Sequence, residues 1–121
     1  MQTISLAEKL AAFQAQWTPH RIARFDDYQL LVARVEGEFV WHTHADHDEV
    51  FIPIAGELLI DFEGAPTARV RPGELLVVPK GTPHRPRTES GECQLLLIDP
   101  NRVQHTGEVH NERTVTEYPD I

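Results

Sequence analysis

The fold is decided by the stretch GEFVWHTHADHDEVFIPIAG, which occupies residues 37–56. Its apolar runs and central polar turn predict two strands, 38–44 and 49–54, joined at 45–48. Side chains alternate between the two faces of a strand, so His42 and His44 point the same way. If the second strand pairs back on the first, Glu49 brings a carboxylate close to both imidazoles.

A second stretch, GELLVVPKGTPH at residues 73–84, predicts a tight turn followed by a single histidine, His84. Two or three imidazoles and one carboxylate, with open coordination positions, suit a divalent ion such as iron(II), manganese, nickel or zinc. A His-x-His pair is also common on the solvent face of an ordinary strand. The pair alone therefore leaves both interpretations open.

The spacing of the two stretches resembles the two sequence motifs of the cupin superfamily, in particular the small single-domain cupins. The first runs from Gly37 over four residues to His42-Thr43-His44, over four more to Glu49, and over six to Gly56. The second runs from Gly73 over five residues to Pro79-Lys80-Gly81, and over two more to His84. The resemblance implies a small antiparallel β-barrel with a divalent metal ion bound by His42, His44, Glu49 and His84.

Two positions depart from the usual cupin pattern. The spacing between Gly37 and His42 is one residue shorter than the common form, and Thr88 stands where asparagine is frequent. Residues 52–58 resemble the strand pair between the motifs of small cupins that are loosely described as mannose-6-phosphate isomerase-like. That likeness concerns the fold, and the fold hosts isomerases, dioxygenases, epimerases, lyases and non-catalytic binders.

The rest of the chain predicts an all-β protein, an antiparallel cupin-type barrel (double-stranded β-helix or jelly roll) with one N-terminal α-helix. Strands are predicted at 28–35, 38–44, 49–54, 57–62, 68–71, 74–78 and 94–98, separated by glycine and proline turns. Residues 5–17 read as an amphipathic helix with Leu6, Leu10, Phe13 and Trp17 on one face, closed by Pro19. We therefore predict an N-terminal helical region at 1–20 packed on the barrel, the barrel at 21–100, and a polar C-terminal tail at 101–121 with weak strand character at 113–116.

Composition excludes several classes of protein. The chain has 121 residues, enough for one domain, and a net charge of −8, which disfavours nucleic acid and anionic membrane surfaces as partners. The single cysteine, Cys93, cannot form a disulfide within the chain. No apolar stretch is long enough to span a bilayer, and the N-terminus lacks the features of a secretory signal, so a cytoplasmic location is expected.

Some other residues admit two interpretations. His47 is either a solvated turn residue or an acid or base that faces the substrate. Cys93 is either a small buried apolar residue or a thiol lining the metal cavity. Phe51 shares the parity of Glu49, so we expect it inside the barrel as core or as a wall beside the metal. Trp41 has the opposite parity to His42 and is expected outside, under the helix or in a subunit interface.

Further positions are expected at the surface. Arg69 and Arg71 share a strand face, where they either bind an anionic substrate or protect an edge strand from aggregation. Surface positions without an assigned role are predicted for His20, Lys80, His105 and His110.

Two functions follow from this pattern. The first is a metal-dependent enzyme of the isomerase or dioxygenase type that acts on a small polar organic molecule, with His47 or a metal-bound hydroxide as the general base. The second is a non-catalytic module that binds a small molecule, or uses the metal only for structure. An open metal position beside a cavity distinguishes them, because a structural site is closed by protein ligands. The cupin resemblance also leaves a homodimer open.

Overall fold

The computed structural model describes residues 1–101 and 118–121, which form one short helix and eight strands. The helix is α1 (Leu6–Ala11). The strands are β1 (His20–Phe25), β2 (Tyr28–Val35), β3 (Glu49–Ala55), β4 (Leu58–Phe62), β5 (Ala65–Val70), β6 (Leu76–Val78), β7 (His84–Arg87) and β8 (Cys93–Pro100).

The strands form two antiparallel sheets with the main core between them. The larger sheet has the order β1-β2-β8-β3-β6 and the smaller one the order β5-β4-β7. Side chains on β8 alternate between buried and partly exposed along its whole length, as expected for a strand with one face on a core. Leu31 and Leu97 of the larger sheet share one buried cluster with Leu58 and Ile60 of the smaller sheet. The predicted all-β antiparallel barrel with a single helix is confirmed.

The N-terminal helix is shorter than the apolar spacing predicts, ending at Ala11 instead of near Trp17. The guanidinium group of Arg34 donates two hydrogen bonds to the carbonyl of Leu10, at 2.8 and 3.0 Å, and so satisfies a carbonyl at the helix end. Leu10 packs with Ile22 and Val32 on the outside of the larger sheet. The chain then turns inward, and Trp17, with a φ of 56°, joins the barrel core instead of the helix face.

Residues 38–44 do not form the regular strand that their pattern predicts. They run along β7 with isolated bridges from Glu38 to Arg87 and from His42 to His84. Between these two bridges, the segment 38–44 contains one residue more than β7 does. One extra residue on one side of a strand pair is the pattern of a β-bulge. Pro86 also has no N–H to donate to the ladder, although its carbonyl accepts a hydrogen bond from the backbone of Phe39.

Two strands were not expected from the sequence, β1 and β7, because charged residues and a proline interrupt their apolar pattern. The remaining strands lie within a few residues of their predicted bounds. His20, which was predicted to be exposed, is instead buried in β1, where its ring stacks on Phe13 at 3.8 Å.

The turn between β3 and β4 requires a glycine. Gly56 has a φ of +76°, and a Cβ placed there would lie 2.3 Å from the carbonyl oxygen of Glu92. Any side chain would therefore meet both a left-handed backbone and a backbone clash. This turn sets where β3 ends, and so helps to fix the register of the strand that begins with Glu49.

The end of the chain returns to the edge of the larger sheet. The backbone of Arg21 bonds to Pro119 and Ile121, and its side chain bonds Asp120 at 3.0 Å. Tyr118 is buried in the main core. The last residues of the predicted polar tail are thus packed on the barrel. His105, His110 and the weak strand predicted at 113–116 lie outside the described residues.

Candidate metal centre

Backbone hydrogen bonds bring the two sequence motifs together. His42 and His84 exchange two such bonds, each of 3.0 Å, so their side chains leave neighbouring backbones. The carbonyl of His44 accepts a third bond, of 2.8 Å, from the backbone of Gly81 in the turn before β7. Glu49 is the first residue of β3 and is paired with Val78 of β6. His42 and His44 of the irregular segment 38–44 thus lie close to the carboxylate of Glu49, whose backbone is held in a regular sheet.

Four side chains converge at this point, and we refer to them as the histidine–glutamate cluster: His42, His44, Glu49 and His84. All four are buried, and each offers one ligand atom within 4.8 Å of the others. The ring centres of His42 and His84 are 4.3 Å apart, and those of His42 and His44 are 5.1 Å apart. The structure therefore brings together every residue that the motifs nominated as a ligand.

Hydrogen bonds on the far side of two rings fix which nitrogen faces the cluster. Nδ1 of His42 donates to the carbonyl of Val40 at 2.9 Å, and Nδ1 of His84 donates to the carbonyl of Thr82 at 2.8 Å. Because a carbonyl only accepts, these rings carry their proton on Nδ1 and direct the Nε2 lone pair into the cluster. Nε2 of all three histidines and Oε2 of Glu49 are buried without a hydrogen-bond partner.

The electrostatics of the cluster favour a neutral imidazole at His42 and an ionised carboxylate at Glu49. Burial lowers the pKa of His42 to about 4, and the neighbouring histidines add to this, against the opposing effect of Glu49. Burial acts to raise the pKa of Glu49, but the contacts with His44 and His84 outweigh it and bring the pKa below its usual range. Nε2 of His44 lies 2.5 Å from Oε2 of Glu49, yet the pair lacks hydrogen-bond geometry.

The donor set fits a divalent metal ion. Buried polar atoms are normally paired, so four partnerless atoms that point at one another call for a shared partner. A cation supplies it, because every one of these atoms is an electron-pair donor. Three imidazole nitrogens and one carboxylate oxygen suit zinc, iron(II), manganese or nickel.

A small, mostly apolar cavity of about 30 Å³ adjoins the cluster. His42 and Glu49 line it on one side, and Phe51, Leu95 and Leu97 form part of its wall. Phe51 also stands edge-on to the ring of His84, with the ring centres 6.0 Å apart. Phe51 therefore lies inside the barrel, as its parity with Glu49 predicts.

A wider cleft of about 330 Å³ lies on the outside, lined by residues that include Tyr28, His47, Asp48 and Lys80. The ring of His47 is 4.5 Å from that of His44, and its Nδ1 donates to the carbonyl of Asp48. His47 is only partly buried and does not belong to the histidine–glutamate cluster. Its place beside His44 leaves both predicted roles open.

The sequence interpretation missed one buried acid near the cluster, Asp99. Only 3% of this residue is exposed, and its Oδ1 has no hydrogen-bond partner. Burial raises the pKa of Asp99 well above its usual value, and the negative charge of Glu49 adds to the effect. The strand predicted at 94–98 stops one residue short. Extending the alternation of Leu95 and Leu97 by one step places Asp99 on the inner face.

The remaining nominated residues lie away from the cluster. Cys93 is fully buried in the core, and burial, assisted by Glu92, raises its pKa to about 12, so it behaves as a small apolar residue. Trp41 is 39% exposed and lies against the guanidinium of Arg85, 5.4 Å from ring centre to Cζ, and not under the helix. Arg69 and Arg71 both pair with Glu57, at 2.6 and 3.2 Å.

A model of the cupin domain family matches residues 30–99, more than half of the chain. The chain is a cupin. A cupin-2 domain protein from Shewanella frigidimarina is 43% identical, with a TM-score of 0.78 over 81% of this chain and 94% of that one. Protein NMB1881 from Neisseria meningitidis is 37% identical, with a TM-score of 0.74 over 82% of this chain and 99% of that one.

More limited likenesses add to this picture. YdbB of Bacillus subtilis is 45% identical over 67 residues, which span 55% of this cupin and 59% of YdbB. Hydroquinone 1,2-dioxygenase from Sphingomonas sp. TTNP3 is 20% identical, with a TM-score of 0.63 over 76% of this chain and 71% of that one. The second likeness shows a common fold only. Within the described part of the cupin, no helix has the length and apolar character needed to cross a membrane.

Proposed function

We propose that this cupin is a metalloenzyme that acts on a small organic molecule, with one divalent ion held by the histidine–glutamate cluster. One observation carries the proposal: four buried donor atoms without hydrogen-bond partners converge beside a small, mostly apolar cavity. Iron(II), manganese, nickel and zinc all suit the donor set. An isomerase or a dioxygenase type of reaction remains the predicted class, and the mannose-6-phosphate isomerase-like resemblance stays a prediction.

Each side chain has a defined part in this proposal. Nδ1–H of His42 and of His84 is held by a backbone carbonyl, so both rings are oriented before a metal arrives. Glu49 supplies the one negative charge of the cluster, and burial keeps water from competing for it. When bound, the metal supplies Lewis-acid polarisation of a substrate oxygen. The apolar wall at Phe51, Leu95 and Leu97 excludes water from the side that faces the cavity.

The alternative is a non-catalytic cupin that binds a small molecule or uses the metal as a structural element. A structural site is closed by its protein ligands, whereas four ligands leave open positions on an octahedral ion. The cavity beside His42 and Glu49 favours the enzyme, because a purely structural metal needs no space next to it.

The deciding experiment begins with the metal content of protein purified without added metal. We expect about one equivalent of a divalent ion, in keeping with the one such cluster among residues 1–101 and 118–121. Cobalt(II)-loaded protein is then titrated with hydroxy acids, keto acids, diols and sugars while its visible spectrum is recorded. A spectral change on adding a ligand supports an open metal position. A spectrum that no ligand perturbs rules out catalysis at the metal and leaves the structural alternative.

The oligomeric state, the location and the partners stay predictions. We expect a homodimer in the cytoplasm that binds a small molecule and no nucleic acid. Sedimentation of the purified protein at several concentrations tests the dimer.

A further inference from the structure

The cavity beside the cluster is lined mostly by apolar side chains, and its polar side chains lie mainly on the side of the cluster. Its polar side chains are the two cluster members His42 and Glu49 and the indole of Trp17, whose N–H is already donated to the carbonyl of Glu36 at 3.0 Å. Its other walls are apolar and include Ala33, Phe51, Leu95 and Leu97. Among the described residues that line the cavity, side-chain hydrogen-bonding capacity is therefore concentrated at the cluster, and the side chains of the opposite walls offer none to a ligand.

Such walls select against hydroxyl groups. A hydroxyl placed there would leave water without finding a new partner, at a loss of about tenfold or more in affinity. An apolar group would instead displace water that is poorly held between apolar walls. Each methylene that enters such a space strengthens binding about fourfold, as long as it fits.

The size of the cavity limits the length of the apolar group. A volume of about 30 Å³ holds about two water molecules, because one water needs some 10–15 Å³ on the same measure. This space accepts a chain of about two or three carbon atoms. Protein interiors resist expansion, so a longer chain meets the side chains of Phe51 and Leu97.

The charge of the loaded site defines the other end of the ligand. A divalent cation with the Glu49 carboxylate and three neutral imidazoles carries a net positive charge. A mono-anion neutralises it, and two neighbouring oxygens can occupy two open positions on the ion.

We infer that the ligand of this cupin is a short aliphatic organic acid, with its oxygens at the metal and an apolar tail of about two or three carbons in the cavity. This inference rests on the proposed metal site and defines the substrate class for it. The sugars and diols of the cobalt titration do not match these walls.

A homologous series of 2-oxo acids tests the inference on the metal-loaded protein, with isothermal titration calorimetry as the measurement. Affinity is expected to rise about fourfold from pyruvate to 2-oxobutyrate, to be greatest at 2-oxobutyrate or 2-oxopentanoate, and to fall for 2-oxohexanoate. Hydroxypyruvate replaces the terminal methyl of 2-oxobutyrate with a hydroxyl, and we expect it to bind at least tenfold more weakly. Equal affinities along the series, or hydroxypyruvate binding as well as 2-oxobutyrate, overturn the inference.

Two variants locate the tail. Leu97→Ala enlarges the cavity and should move the optimum to longer tails, whereas Ala33→Val fills it and should move the optimum to pyruvate. Ile52→Ala is the matched control, since Ile52 lies on β3 beside Phe51 but does not line the cavity. Leu97→Val replaces Leu97→Ala if the larger change prevents folding. An optimum that stays in place in both cavity variants overturns the inference.

Metal content, measured on every sample, separates the two proposals. Wild-type protein that holds no metal contradicts the proposed function itself. Wild-type protein that holds metal but shows no dependence on tail length contradicts only the inferred ligand class.

Discussion

Two buried carboxylates in this cupin have almost the same exposure and opposite surroundings. Glu49 is 6% exposed and Asp61 is 8% exposed. Asp61 accepts hydrogen bonds from Arg85 and Arg87, at 2.8 to 3.1 Å, and from the hydroxyl of Thr67 at 2.7 Å. We call this group the arginine–aspartate cluster. Glu49 faces three imidazoles, and its buried Oε2 has no hydrogen-bond partner.

The difference separates an acid whose cations belong to the chain from an acid that lies among potential metal ligands. Both carboxyl groups have a lowered pKa, but the arginines near Asp61 are permanent cations that belong to the chain. The imidazoles near Glu49 are potential metal ligands and not permanent cations, so the cluster lacks a permanent cation of its own. Asp61 already has two cations within the chain, whereas the surroundings of Glu49 could hold a metal ion.

The largest expected effect is on metal affinity. Glu49→Gln and His84→Ala should each weaken binding at least about 100-fold, since even the loss of a residue that only supports a ligand costs 10- to 100-fold. Metal content after dialysis, measured by atomic emission, checks this.

Asp61→Asn is the matched control for that measurement, because it neutralises an equally buried carboxylate outside the histidine–glutamate cluster. It should keep its metal. Full metal occupancy in both Glu49→Gln and His84→Ala would disprove the assignment of the ligands.

The second effect is a pH dependence that arises at His42 in the histidine–glutamate cluster. Folded His42 stays neutral down to about pH 4, while the unfolded chain takes up this proton near pH 6.5. Below pH 6.5 the unfolded state therefore binds more protons, and stability falls as the pH falls. We expect His42 to account for a loss of about 3 kcal/mol in the unfolding free energy of metal-free protein between pH 7 and pH 4.

Urea unfolding at pH 7, 5.5 and 4 measures this loss. His42→Gln removes the titrating group, so the variant should lose less stability than wild type over that range. Identical pH profiles for the two proteins would show that His42 is protonated as easily in the folded state as in the unfolded one.

A third effect concerns the arginine–aspartate cluster. Asp61→Asn should lower the unfolding free energy by about 2 kcal/mol, less than for a fully buried ion pair, because both arginines are partly exposed. Hydrogen bonds from Arg87 chiefly hold the pKa of Asp61 below its usual range, together with Thr67 and Arg85 and against the effect of burial. The stabilisation is therefore present above about pH 4 and is lost as the pH falls further.

Thermal or urea unfolding of Asp61→Asn at pH 7 and pH 3 tests this effect, with Glu89→Gln as the control. Glu89 is exposed and pairs with Arg87 at 3.0 Å, so its removal should cost less than about 1 kcal/mol. If Asp61→Asn costs no more than Glu89→Gln, the cluster does not contribute to stability.

These two clusters also show how far the sequence could lead. The histidine–glutamate cluster was predictable because its residues lie in two short motifs whose spacing is distinctive. The four side chains converge even though residues 38–44 are not a regular strand, since the paired backbones of His42 and His84 still aim both rings inward. The arginine–aspartate cluster was not predictable, because Asp61 lies 24 and 26 residues from its arginines and no local pattern joins them.

The missed elements have similar causes. In β7 the residues His84 and Pro86 are buried while Arg85 and Arg87 face Asp61, so the strand shows no apolar alternation to detect. The helix was predicted too long because Trp17 satisfies helical spacing, although it packs on Phe39 at a ring distance of 4.6 Å inside the barrel. The spacing of apolar residues indicates which of them are buried. It does not indicate whether a buried residue packs under the helix or inside the barrel.

The smallest expected effect concerns Asp99, a third buried carboxyl group that has neither arginines nor a ring of imidazoles. Its pKa is raised, chiefly by burial, so the folded state holds a proton that the unfolded state releases near pH 4. This acid therefore reduces stability as the pH rises above 4, the reverse of Asp61. Asp99→Asn, which resembles the protonated acid, should leave the unfolding free energy of metal-free protein at pH 7 unchanged or higher. Urea unfolding at pH 4 and pH 7 checks this. A loss of unfolding free energy as large as that of Asp61→Asn would mean that Asp99 is ionised and paired in the folded state. Burial would then not explain why the three acids differ in pKa.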